Sequence, residues 1–235
     1  MEFYPVYLKF KGRNVIVVGG GEVAFRKVKR LLDYGAFVMA VAPVFTKEFS
    51  FFKQNKNFSM KIKEFDKKDI FDAFFVFAAT DNMKVNIDVS EVSRKKGVLC
   101  NIADSSDRSD FILPSYVKRG SLVFTVSTGG KSPALARKIR QDLEKQYGDD
   151  YEIFIYLLGK IRTFVLKSES SSSENREKFR AFVFGNLLDY VKSKNLEGIK
   201  EEIGYILKDS VLAEKIMEIL VKEKNDYFFG DGEKI

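Results

Sequence analysis

Val15-Ile16-Val17-Val18 runs straight into Gly19-Gly20-Gly21, and an apolar stripe at helical spacing follows at Ala24, Val28, Leu31 and Leu32. A β-branched run, a glycine turn and a helix in direct succession constrain the fold more than any other stretch. They predict a buried strand that turns sharply into a helix packed back against it. Arg26, Lys27, Lys29 and Arg30 lie between the apolar positions. Gly35 stands where a helix C′ glycine belongs, and Phe37–Ala42, stopped by Pro43, reads as the next strand.

The alternation continues. A weaker strand is expected over Met60–Phe65, where lysines interrupt the pattern. Phe74–Ala79 is apolar at every position, as a strand covered on both faces should be. A helix with Val85, Val89 and Val92 on one side ends at Gly97, and Val98–Ile102 is a further strand. Strand alternating with helix predicts an α/β fold over residues 12–113, a doubly wound, Rossmann-type parallel sheet.

Ser121–Ser127 reads as one more strand, and Ser132-Pro133 as an N-cap and first helical residue. Leu135, Ile139 and Leu143 give that helix an apolar stripe. From about Asp150 the stripes are helical throughout: Ile153 to Phe164, Phe179 to Leu187, Ile199 to Ile206 and Leu212 to Leu220. Ser168–Ser173 is a polar linker between the first two. The expected domains are 1–113, the Rossmann-type domain; 114–149, a connecting segment; and 150–235, a small helical domain.

Composition excludes several chemistries. Among the 235 residues there is no histidine and one cysteine. Serine–histidine triads, cysteine–histidine pairs, disulfide frameworks and histidine or multi-cysteine metal cages are therefore absent, and no metal site is expected. Cys100 lies within a strand pattern and reads as a core thiol. No stretch is long and apolar enough to span a membrane, since the run Ala36–Phe45 is broken by Pro43. The first residues lack a signal-peptide core, so a cytoplasmic location is expected.

The net charge is +7. Residues 1–150 carry 26 Lys and Arg against 18 Asp and Glu, the remainder 14 against 15. The excess points to an anionic partner for the first two thirds.

Three groups of residues carry candidate chemistry. Gly19-x-Gly21-x-x-Ala24 matches the dinucleotide fingerprint: a tight turn, close approach of a pyrophosphate, and close packing of helix on strand. The acid that usually binds the adenosine ribose about 20 residues further on is missing, because that strand ends Ala42-Pro43-Val44. The sequence at that position leaves NAD and NADP open. Thr80 and Asp81, then Asn101 and Asp104, follow strands at the carboxyl edge of the sheet, where such folds bind ligands. Gly129-Gly130-Lys131-Ser132-Pro133 has the composition of an anion cradle ahead of a helix. Lys118, Arg119, Lys131 and Arg137 are candidate anion contacts by location.

Together these stretches resemble the precorrin-2 dehydrogenase family, the N-terminal module of siroheme synthase. The resemblance rests on Tyr4–Leu8, Val17–Lys27, Leu31–Ala36, Val41-Ala42-Pro43, Ala78–Asp81, Asn101–Asp104, Asp110–Pro114 and Ser127–Ala136, and covers residues 2–145. It implies NAD-dependent oxidation of precorrin-2 to sirohydrochlorin, with a homodimer built from the segment after Pro114. It implies that Glu22, Val23, Pro43 and Val44 line the NAD site, and that Asp104 is the general base. Substrate contacts are expected from Asn101, Thr128, Gly129, Gly130, Lys131, Ser132 and Arg137. Thr128 stands where some members carry a serine associated with phosphorylation.

Two alternatives accompany this reading. Some relatives also insert iron into sirohydrochlorin, and a regulatory NAD-sensing module could use the same fold. Neither nucleic acid nor membrane is an expected partner.

Overall fold

A computed structural model describes residues 3–103, 105–167 and 171–229. The chain forms two compact units, residues 1–113 with 129–131 and residues 114–128 with 132–235.

The first unit is a parallel sheet of β1 (Asn14–Val18), β2 (Phe37–Ala42), β3 (Phe58–Ile62), β4 (Phe75–Ala78) and β5 (Leu99–Ile102), in the order β3-β2-β1-β4-β5. Helix α1 (Glu22–Asp33) crosses from β1 to β2 and α2 (Met83–Lys95) from β4 to β5. Side chains alternate across β1. Val15 and Val17 face a core with Ala24, Val28, Phe49, Phe52, Phe75 and Phe77, while Ile16 and Val18 face one with Val89, Cys100 and Ile102. This two-sided burial is why β1 and β4 read as unbroken apolar runs.

Helix α1 ends as its glycine predicts. Gly35 has a φ of +75°, its N–H donates to the Leu32 carbonyl, and the Ala36 N–H donates to Leu31. This double bond pattern satisfies the last carbonyls of the helix.

The third strand departs from expectation. It begins at Phe58 and ends at Ile62, where residues 60–65 were expected. It is an edge strand paired only with β2, so apolar alternation did not mark it. Lys61 of this strand and Lys63 just beyond it have a purpose of their own: they lie 3.4 Å and 2.5 Å from the carboxylate of Asp69, which is 4 % exposed. The Phe49 and Phe52 turn, a 3-10 segment over Lys47–Phe52 that closes one face of the core, carried no periodic signal.

In the second unit, β6 (Ser115–Arg119) and β7 (Leu122–Val126) form an antiparallel hairpin around a two-residue Gly120-Ser121 turn. Only β7 was expected, although Gly-Ser between two apolar runs is a hairpin signal. Then follow α3 (Pro133–Gln146), α4 (Asp150–Val165), α5 (Ser172–Phe184), α6 (Leu187–Lys192), α7 (Leu196–Leu207), α8 (Ser210–Glu223) and α9 (Asn225–Phe229). Ile153, Leu157, Ile161, Phe182, Leu187, Ile199, Ile203, Ile216 and Leu220 make a common core. The expected stripe Phe179–Leu187 belongs to two helices: α5 stops before Gly185, α6 starts at Leu187, and Val183 is exposed. The serine run is also more than a linker. Ser171 caps α5 in a reciprocal bond pair with Glu174, and Ser172 and Ser173 begin the helix. Residues 168–170 lie outside the described residues.

The Asp69 pair yields a pH expectation. Burial alone would raise the Asp69 pKa, but hydrogen bonds from Lys63, the Asp66 N–H and Lys61 outweigh it and hold the carboxyl below its ordinary value near 3.8. The associated stability is therefore present above pH 4 and lost as pH falls through the folded-state pKa. In acid titrations followed by circular dichroism, Asp69→Asn should be less stable than wild type at pH 7. The gap should narrow steadily below pH 4.

Candidate functional site

The strand order creates the site. The chain moves outward from β1 through β2 to β3, then returns beside β1 as β4 and moves outward the other way. Loops leaving the carboxyl ends of β1 and β4 therefore diverge and leave a crevice at the reversal point.

Each of the three glycines after β1 meets a different demand. Gly19 has a φ of +134°, and a Cβ there would overlap the carbonyl oxygen of Ala79 at the end of β4. Gly20 lies under the loop after β2: a Cβ there would overlap the Val44 carbonyl, and the Gly20 carbonyl accepts from the Thr46 N–H at 2.9 Å. Gly21 is the N-cap of α1, in extended backbone with a φ of −87°, and a Cβ there would enter open space. So Gly19 and Gly20 serve the fold, and Gly21 leaves room above the start of the helix. The importance of Gly20 was not read from the sequence, because the fingerprint names only its neighbours.

The first turn of α1 has no side-chain cap. The backbone N–H groups at Glu22, Val23 and Ala24 thus present a positive end to an anion. Glu22 itself is exposed and sits 3.6 Å from Arg26, so its carboxylate is partly neutralised one turn along. Val23 is half-buried and Ala24 fully buried against β1. Pro43 and Val44 are exposed at the end of β2, Val44 at 76 %. Glycine turn, uncapped helix start and exposed β2 loop fit a dinucleotide laid across the crevice.

On the β4 side, Thr80 is held by a residue that sequence reading missed. Asn86, on α2 and 2 % exposed, accepts from the Thr80 N–H at 3.1 Å and hydroxyl at 2.7 Å, and donates to the Thr80 carbonyl at 2.9 Å. Asn82 caps α2 by accepting from the N–H groups of Lys84 and Val85. Asp81, between them, is exposed. A buried asparagine near the start of α2 was the available signal.

Beyond β5 the chain doubles back along the edge of the sheet. The Cys100 N–H donates to the Asp110 carboxylate and the Ile102 N–H to the Ser109 hydroxyl, both at 2.9 Å. Ser109 also donates to the Ser105 carbonyl at 2.7 Å, and the ring of Phe111 packs against those of Phe75 and Phe77. Side chains of residues 109–111 thus take the place of a sixth strand and fix both ends of the loop between. Asn101 is buried within this arrangement. Its Oδ1 accepts from Lys27 of α1 at 3.0 Å and its Nδ2 donates to the Phe111 carbonyl at 2.9 Å. Asp104 lies outside the described residues. Cys100 is buried, and desolvation raises its thiol pKa to about 11, which suits a core residue rather than a nucleophile.

In the glycine-lysine stretch, Thr128 Oγ1 accepts from the Ser132 N–H at 3.0 Å, and Ser132 Oγ caps α3 by accepting from Leu135 N–H at 3.3 Å. Gly129, Gly130, Lys131 and Arg137 are exposed. Lys118 is exposed as well, whereas Arg119 is tied to the end of α3 through the carbonyls of Tyr147 and Glu144 and to Asp149 at 3.3 Å. No helix among the described residues is long and apolar enough to cross a membrane.

Comparison with known proteins agrees with this geometry. A family model for NAD(P)-binding domains matches residues 6–115, and one described as the central part of sirohaem biosynthesis proteins matches residues 119–146. The siroheme synthase of Photobacterium profundum is 32 % identical over 203 residues, 86 % of this chain and 43 % of that protein. Siroheme synthase 2 of Aeromonas salmonicida is 34 % identical over 196 residues, 83 % of this chain and 40 % of that protein. The chain thus spans about two fifths of the length of these relatives. Among solved structures, SirC, a precorrin-2 dehydrogenase, superposes with a TM-score of 0.75 at 30 % identity, over 88 % of this chain and 100 % of that one.

The glycines separate folding from ligand binding. Gly20→Ala should destabilise the protein by about 1–3 kcal/mol through overlap with the Val44 carbonyl. Gly21→Ala should melt within a degree or two of wild type yet bind nicotinamide dinucleotide at least tenfold more weakly. Thermal melts and calorimetric titration check both.

Proposed function

The chain belongs to the precorrin-2 dehydrogenase family, which includes the corresponding part of siroheme synthases, and we propose that it oxidises precorrin-2 to sirohydrochlorin with NAD as acceptor. The observation that carries this reading is the likeness to SirC over the whole of that chain, combined with a glycine turn and uncapped helix at the β1–β4 crevice.

The nicotinamide cofactor supplies a hydride acceptor. Gly21 and the N–H groups of the first turn of α1 hold its pyrophosphate, with Glu22 and Val23 contributing backbone rather than side chain. Pro43 and Val44 offer an apolar surface to the adenosine. No acid and no arginine directly follows β2, so neither a 2′-hydroxyl nor a 2′-phosphate is singled out there. NAD is proposed from the family resemblance.

Oxidation of precorrin-2 removes a hydride and a proton. Asp104 is the proposed acceptor of the proton, from the family resemblance, and an ionised carboxylate can take this part in a chain without histidine. Asp110, Ser109 and Asn101 brace the loop that carries it. Lys118, Lys131 and Arg137 are the cations proposed to meet the substrate's carboxylates, with Thr128, Gly129, Gly130 and Ser132 supplying hydrogen bonds. Arg119 serves α3 instead. The substrate is a polyanion, and the positive excess of residues 1–150 favours its capture.

The protein is proposed to act as a homodimer in the cytoplasm. Leu135 and Ile139 on α3 are 50 % and 38 % exposed, an apolar stripe suited to a second copy. The single buried thiol suits a reducing compartment.

The decisive assay is absorbance at 340 nm after mixing protein, NAD and precorrin-2. NADH should form in step with sirohydrochlorin, and its absence with active substrate would remove this reading. Asp104→Ala should lower turnover by about 100-fold or more while leaving NAD affinity unchanged. In sedimentation equilibrium, Leu135→Glu with Ile139→Glu should shift the protein from dimer to monomer; a wild type that sediments as a monomer would overturn the dimer.

A further inference from the structure

The acid missing after β2 has a counterpart on the other side of the crevice. In a doubly wound sheet the two mononucleotide halves of a dinucleotide lie on opposite sides of the reversal point, the adenosine half toward β2 and the nicotinamide half toward β4. The loop leaving β4 lies against Gly19 at the Ala79 carbonyl and the Thr80 nitrogen, and its next residue is an exposed carboxylate, Asp81.

That carboxylate sits on a rigid mount. All three polar backbone and side-chain functions of Thr80 are held by the buried amide of Asn86. The Asn82 N–H donates back to Thr80 Oγ1 at 3.2 Å, and the Asn82 side chain is committed to the start of α2. Residues 80 and 82 are thus tied down within the loop by their side-chain bonds, and the exposed carboxylate of Asp81 lies between them. A carboxylate accepts from both hydroxyls of a ribose diol at once, and such charge-assisted bonds are stronger than neutral ones.

We propose that Asp81 binds the hydroxyls of the nicotinamide-side ribose, and that Asn86 is the positioning residue that sets it there through Thr80. The proposal rests on the nicotinamide-cofactor part of the function proposed above and not on the tetrapyrrole. It assigns to Asp81 a recognition that does not discriminate NAD from NADP, since the 2′-phosphate of NADP is on the other ribose.

The test is calorimetric titration with NAD, NADP and ADP, the last lacking the nicotinamide-side ribose. Asp81→Asn should weaken NAD and NADP alike by about tenfold or more, with ADP affinity and melting temperature unchanged. Asn86→Ala should weaken NAD and NADP while sparing ADP, and in the Asp81→Asn background it should have no further effect. If Asn86→Ala does not fold, Asn86→Asp, which keeps the acceptor and loses the donor to Thr80, and Thr80→Val carry the same expectation in smaller measure. The proposal is overturned if Asp81→Asn binds NAD as wild type does, if ADP is lost in parallel, or if the Asn86 effect adds in full to that of Asp81. A wild type that binds none of the three also overturns it. Should the affinity pattern hold while no NADH forms from precorrin-2, the substrate reading falls and this one stands. Should NADH form while Asp81→Asn binds NAD normally, the reverse follows.

Discussion

The close approach of Gly19 to the Ala79 carbonyl is the contact on which the site depends. Strands β1 and β4 pair over Val15–Val18 and Phe75–Ala78, and their loops must part immediately afterwards. A side chain at Gly19 would push the two loops apart at the point where the sheet reverses direction. With hydrogen there instead, β1 can turn upward into α1 while β4 continues into Thr80. The Ala79 N–H still donates to Val18 and the Gly19 N–H to Val41, so the strands stay paired to their last residue. The crevice is therefore defined by backbone, which gives a ligand a fixed frame on both sides.

Around that frame the molecule uses buried amides as fasteners. Asn86 secures the loop after β4, and Asn101 ties α1, β5 and the returning segment at Phe111. An amide can donate and accept at once, so one side chain can hold two chain segments in a dry interface without burying charge. The edge of β5 is finished by side chains too. Asp110 and Ser109 take the outward N–H groups that a sixth strand would otherwise bind.

The sequence displays the parts of this design that depend on periodicity. Both-face burial made β1 and β4 visible as apolar runs, and the Ala24–Leu32 stripe made α1 visible as a helix. Edge elements were less legible. β3 needs only one partner and turns Lys61 to Asp69, so it lacks the apolar signature of its neighbours. β6 was hidden because half-buried hairpin strands mix polar and apolar residues. Among site residues, Gly19 and Gly21 could be read from the fingerprint, but Gly20 could not: its requirement comes from the Val44 carbonyl, a contact across 24 residues. Asn86 and Ser109 were missed for the same reason, since their role lies in what they bond to. Asn101 was legible as a polar residue at the right edge, but the structure places its amide between Lys27 and Phe111.

This division explains why a family likeness was so informative here. Periodic burial specifies a doubly wound sheet, and that sheet serves many reactions. What narrows the reaction is the set of non-periodic residues that brace loops at the carboxyl edge. Those residues are scattered in the chain, at 20, 81, 86, 101, 109 and 110, and converge only when β1, β4 and β5 lie side by side. With no histidine in the chain, proton transfer falls to other side chains, and any such group is selective only if its position is fixed. The loop after β4 is braced by the buried amide of Asn86, and the return from β5 by the Asp110 carboxylate and the Ser109 hydroxyl. A sheet edge built this way presents Asp81 from a loop whose two neighbouring residues are tied down.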